Sequence, residues 1–122
     1  MARILLIDDD EVSRTLANRM FVSVGHEVVE AVDGGSGLRL FAKRPPDLVL
    51  TDINMPGLDG HAVIEAIRVQ HPDVPIIAIS GGGAVAKDEL LLEASALGAT
   101  EVIMKPFEYN QLIGAVDRSL RS

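Results

Sequence analysis

Short apolar runs alternate with longer amphipathic stretches five times along this chain, and that rhythm limits the fold more than any other feature. The runs at residues 3–7, 27–31, 48–51, 75–80 and 101–104 have the length of strands. The stretches between them carry apolar residues at steps of three and four, as helices do. Residues 11–24 align Val12, Leu16 and Met20 in a stripe that Gly25 ends. A weaker helix is expected at 35–42, and another, opened by Asp59 or Gly60, carries Val63, Ile64 and Ile67. A fourth lies around 90–97 and stops at Gly98; the last is striped by Leu112, Ile113, Val116 and Leu120. Pro45 and Pro46 break the chain before the third run, and turn residues make 55–60 a loop. Strands alternating with helices of this length imply right-handed crossovers. The expected architecture is a doubly wound α/β fold, a parallel sheet with helices on both faces. The fourth run, continuous in Ile and Ala, reads as a strand covered on both sides.

A chain of 122 residues makes one domain, 1–122, and no linker or repeat divides it. Met1 stands one short step before the first strand and the last helix finishes near the chain end, so a free-standing domain is the expectation. With 3% aromatic residues the core must be built from Ile, Leu, Val and Ala. Eighteen acidic against 11 basic side chains give a net charge of -7. That balance argues against nucleic acid or an anionic membrane surface as a direct partner. There is no Cys, which excludes disulfides, thiolate metal sites and cysteine catalysis. No apolar run approaches the roughly 18 residues of a membrane span, and acids cut the N-terminal run too short for a signal peptide. The expected location is the cytoplasm. His26, His61 and His71 have no ligand spacing and read as exposed or turn positions.

Parallel strands bring their carboxyl ends to one edge, where sites in such sheets lie. Here the first strand is followed by Asp8, Asp9, Asp10 and Glu11, and the third by Asp52. The fourth ends in Ser80, and the fifth is followed by Lys105 and Pro106. Carboxylates brought together raise one another's pKa, and a divalent cation relieves the repulsion. Oxygen-only donors select a hard ion, and two or three acids with several waters suit Mg2+. A carboxylate is also a nucleophile that can form an aspartyl phosphate. Transfer then needs positioning and neutralisation of three phosphoryl oxygens, which a magnesium ion, Lys105 and the Ser80 hydroxyl could share. Singly, each residue has a plainer reading. The acids after the first strand could cap the next helix, Asp52 could be a turn residue, and Lys105-Pro106 a strand-ending turn. What chance does not readily give is their order, each closing a separate strand.

Residues 5–9 (LLIDD), 50–60 (LTDINMPGLDG), 79–81 (ISG), and Gly98, Ala99, Lys105, Pro106 and Phe107 together resemble the receiver domain of two-component response regulators. The resemblance runs from residue 3 to about the end. It implies a five-stranded flavodoxin-like sheet in the order 2-1-3-4-5. It makes Asp52 the phosphoacceptor, and Asp8 and Asp9 the acidic pair at Mg2+, with Asp9 the more direct ligand. The Asn54 main-chain carbonyl becomes a further metal ligand. Ser80 becomes the switch hydroxyl, Lys105 the phosphate-pairing lysine, and Lys105-Pro106 a cis bond. The implied partners are a sensor histidine kinase or histidine phosphotransferase. The implied output is a downstream protein bound through the face of the 90–97 helix, the fifth strand and the last helix. Two positions depart from the family pattern. Val102 stands where members often carry Tyr or Phe, which questions an aromatic relay. The stretch after Ser80, beginning Gly81-Gly82-Gly83, is longer and richer in glycine than usual; it reads as a slack surface connection or, the preferred reading, as a gate over the phosphate.

An enzyme of the haloacid dehalogenase phosphatase type is the rival from another class. Asp8 would be its nucleophile, Asp10 its general acid, and Ser80 and Lys105 its later motifs. It lacks the further acidic pair that such enzymes need, offers no role for Asp52, and has no cap insertion. A mononucleotide or flavin module would need a phosphate-cradling loop after the first strand, where this chain has acids that would repel one.

Overall fold

The computed structural model describes residues 1–53, 60–80 and 96–121. Five strands, β1 (Arg3–Ile7), β2 (Glu27–Ala31), β3 (Leu48–Asp52), β4 (Ile76–Ser80) and β5 (Glu101–Met104), form one sheet. All its pairings are parallel, in the order β2-β1-β3-β4-β5. Four helices are described: α1 (Glu11–Ser23), α2 (Gly34–Lys43), α3 (Gly60–Gln70) and α4 (Tyr109–Arg121). Fold class and strand order are those expected. Most of the helix expected around 90–97 lies outside the described residues.

The alternation of side chains along each strand divides the interior into two layers. Ile4 and Leu6, Leu48 and Leu50, and Ile77 and Ile79 face one side, where Ala17 and Phe21 of α1 and Leu112, Ala115 and Val116 of α4 cover them. Leu5 and Ile7, Val49, and Ile76 and Ala78 face the other, beneath Phe41 of α2 and Val63, Ile64 and Ile67 of α3. Strands β3 and β4 are buried along their whole length, as runs of Leu, Val, Ile and Ala predict. Edge strand β2 exposes Glu27 and Glu30.

Local chemistry sets the helix limits. Asp10 caps α1, accepting from the Val12 N–H at 3.2 Å, and Asp33 caps α2, accepting from the Ser36 N–H at 2.7 Å. At the far end of α1, Gly25 takes φ +91°, Gly25 N–H donates to Val22 and His26 N–H to Phe21. This pair of bonds ties off the last carbonyls, and the positive φ suits glycine.

Two expectations are corrected. Val12 and Leu16 do not form the inner stripe of α1: they are 76% and 45% exposed, while Ala17 and Phe21 are buried, with Met20 packed alongside. The helix meets the sheet on its Ala17–Phe21 side, because small Ala17 admits close approach and Phe21 fills the space beyond. The histidines are half-buried rather than exposed, with His26 and His71 in connections, as expected, and His61 within a helix. His26 Nδ1 accepts from the Ala2 N–H at 3.0 Å, His71 packs edge-on to Phe41, and His61 stands in the first turn of α3.

Candidate functional site: an acid cluster bridged by lysine

Four strands deliver the site. Asp8 follows β1, Asp52 ends β3 and Ser80 ends β4, and all three are buried. Lys105 follows β5, and its N–H donates to the Ser80 carbonyl at 2.7 Å, continuing the ladder one residue past the strand. The Lys105-Pro106 bond is cis. Carboxylate oxygens of Asp8, Asp9 and Asp52 lie within 4.8 Å of one another, with Asp9 the exposed member. Lys105 Nζ bridges the buried pair, 2.8 Å from Asp52 Oδ2 and 3.0 Å from Asp8 Oδ2.

Backbone and side-chain bonds fix Asp8. Its N–H donates to the Ala31 carbonyl of β2, and its Oδ1 accepts from the Asp10 N–H at 2.9 Å. Its own carbonyl accepts from Arg14 Nη1 at 2.9 Å, while Arg14 Nε donates to Glu30 at 2.8 Å and Asn18 donates to the other Glu30 oxygen. Burial pushes the Asp8 carboxyl above its ordinary pKa, against the lowering effect of the Asp10 N–H and Lys105. Burial pulls the Lys105 ammonium down, but hydrogen bonds to Asp52 and Asp8 outweigh it and leave its pKa raised.

The capping alternative for the acids is thereby divided. Asp10 alone caps α1; its other oxygen accepts from Ser13 Oγ at 2.8 Å, and that bond leads in holding its pKa low. Asp8 and Asp9 are left for the cluster. Gly60, which opens α3, lies against the strand bearing Asp52: a Cβ there would collide with the Asp52 carbonyl oxygen and sit 2.6 Å from Ile53 Cα. Val102 is half-buried and packs with the α2–α3 layer, and as a valine it has no ring to swing. Asn54 and Gly81, with the expected gate after Ser80, lie outside the described residues.

Sequence reasoning found the cluster and missed Arg14 and Glu30. Those two meet only because α1 crosses beside β2, and no local spacing announces the pair. Asp10 offered a signal in retrospect, with Ser13 three residues on as its side-chain partner.

A doubly wound sheet with buried acids and a lysine at its carboxyl edge presents an acidic, oxygen-donor site rather than a nucleotide cradle. Comparison with known proteins narrows this. Residues 4–117 match the response regulator receiver domain family. The chain is 34% identical over 117 residues to the response regulator protein FleR of Pseudomonas aeruginosa, covering 96% of this chain and 24% of that protein. It is 39% identical over 120 residues to the transcriptional regulatory protein PrrA of Mycobacterium tuberculosis, covering 98% and 50%. Among solved structures, the receiver domain of NtrX from Brucella abortus superposes with a TM-score of 0.90 at 37% identity, covering 98% of each chain. The chemotaxis protein CheY4 of Vibrio cholerae gives 0.88 at 29%, again covering 98% of each.

This chain belongs to the response regulator receiver domain family, the switch module of two-component signalling. It spans a quarter to a half of the length of these curated relatives. Receiver domains work with histidine kinases or phosphotransferases and with downstream effectors. The phosphatase reading finds no support, and Asp10, its general acid, spends its carboxylate on capping α1. No described helix is long and apolar enough to cross a membrane.

Proposed function

We propose that Asp52 is the phosphoacceptor of a single receiver unit spanning 1–122, taking its phosphoryl group from the phosphohistidine of a sensor kinase or phosphotransferase. The observation that carries this reading is the Asp52 carboxylate, buried at the sheet edge, held 2.8 Å from Lys105 Nζ and flanked by Asp8 and Asp9. An oxygen of Asp52 attacks phosphorus, the P–N bond to imidazole breaks, and an acyl phosphate forms. Lys105 passes from the carboxylate to a phosphoryl oxygen, a charge-assisted contact that neutralises charge where it develops. The Ser80 hydroxyl, one strand over, donates to a second oxygen. Movement of Ser80 and Lys105 toward the phosphoryl group shifts β4 and β5, and so an effector surface that includes β5 and α4. The same site also serves hydrolysis, when water attacks the acyl phosphate.

The donor set fits Mg2+. Three carboxylates offer oxygen alone, and burial raises the Asp8 pKa, so added positive charge there would favour its ionised form. The residues that would hold the ion are Asp9, Asp8 and Asp52, with the Asn54 main-chain carbonyl. Bound there, it supplies neutralisation of the phosphoryl oxygens.

Acetyl phosphate with Mg2+ should label this chain, and borohydride reduction followed by peptide mapping should place the label on Asp52. Asp52→Asn should abolish it. Reduction at Asp8 with Asp52 untouched would overturn the assignment.

A further inference from the structure

The end of the sheet opposite the acid cluster holds a cavity of about 350 Å³ between β1, β2 and the last turn of α2. Leu5 and Val29, register partners on adjacent strands, form its floor, and Leu40 forms a wall. Arg3, Lys43 and Arg44 also line it, and no acidic residue does so among the described residues. Three cations around an apolar floor are unexpected in a chain of net charge -7.

Arg3 adds a second observation. Its Nε is buried with no hydrogen-bond partner among the described residues, and its ion pair with the Glu27 carboxylate is long, 3.9 Å, beyond hydrogen-bond reach. A buried guanidinium N–H without an acceptor is costly, and an oxygen anion in the cavity would satisfy it. Lys43 and Arg44 sit at the carbonyl end of α2 and offset its negative dipole there, so an anion is not repelled. The volume falls at the small end of the range for small-molecule sites, about 300–1,000 Å³.

We propose that this cavity binds a small carboxylate with an apolar tail, its head on Arg3, Lys43 and Arg44 and its tail on Leu5, Val29 and Leu40. A bare anion would leave the apolar floor wet, and a neutral lipid would leave the Arg3 side-chain Nε–H unpaired. Along β1, the Leu5 floor stands three residues and about 10 Å before Asp8, and the Arg3 end five residues and about 16 Å before it, so a head group held at Arg3 does not reach the acids.

The test is an NMR titration of the whole chain with octanoate in physiological salt, run beside octanol and inorganic phosphate. Octanoate should give saturable shifts at the amides of Leu5, Val29, Leu40 and Arg44. Octanol should bind roughly tenfold more weakly, the loss expected with a charge-assisted contact. Phosphate should leave the Leu5 and Val29 amides unmoved. Exposed Lys43 and Arg44 can be changed without disturbing the core, and the Lys43→Gln/Arg44→Gln double variant should weaken octanoate at least tenfold. Asp52→Asn should bind octanoate as the unaltered chain does. No saturable response to millimolar octanoate would overturn the proposal, as would octanol binding equally well, phosphate alone reproducing the shifts, or undiminished affinity in the double variant.

Discussion

Removing the Lys105 ammonium would leave Asp8 and Asp52 facing each other, both buried, with no cation between them. Lys105→Ala should therefore destabilise the metal-free protein at neutral pH. Breaking a buried pair costs about 3–5 kcal/mol, and the opening of this site to solvent lowers the expectation to about 1–3 kcal/mol by urea unfolding. Asp8→Asn should do the reverse. The folded-state pKa of Asp8 is raised, so its favourable contribution is present below its ordinary value of 3.8 and is lost as pH rises through the folded value. At pH 7 the Asn variant should equal or exceed the parent in stability, with the difference closing as acid protonates Asp8. These residues were legible in the sequence because each directly ends a strand, and parallel strands share an edge. Arg14 and Glu30 were not, since their meeting depends on which strand lies beside which helix.

At the scale of elements, the helices and strands were legible as to number and order within the described residues, and the inward face of α1 was not. Two stripes run along that helix at steps of four, Val12-Leu16-Met20 and Ala17-Phe21, and periodicity alone fits either. Packing decides, and it favours the pair that combines close approach with a large side chain. Phe21→Ala should accordingly cost about 3–5 kcal/mol by chemical denaturation, since Phe21 is fully buried. Val12→Ser should change stability by no more than about 0.5 kcal/mol. Equal losses in the two variants would restore the outer stripe as the core. The exposed Val12 and Leu16 lie beside Pro106 and Phe107 at the mouth of the acid site.

Across the whole molecule, the sheet keeps two apolar layers apart while gathering charge at one edge, so the fold carries a local electrostatic penalty that a bound cation would relieve. Free Mg2+ at ten times its dissociation constant should raise stability by about 1.4 kcal/mol, read as an upward shift of the thermal midpoint. In Asp9→Asn the shift should shrink sharply at the same metal concentration. An unchanged midpoint in the parent chain at millimolar Mg2+ would count against the cluster as a cation site. The position of this edge could be read from the alternation of strands and helices, because any doubly wound sheet has one.

Gly60 carries a historical consequence. Its missing side chain lets the start of α3 rest on the strand that bears Asp52, and any replacement sets a carbon against the Asp52 carbonyl. In a lineage that keeps this acid site, descendants can exchange the outer residues of α1 freely, yet Gly60 offers no neutral path to another residue. Drift should stop there, and a chain that had lost this glycine would have had to rebuild the approach of α3 before it could keep the site.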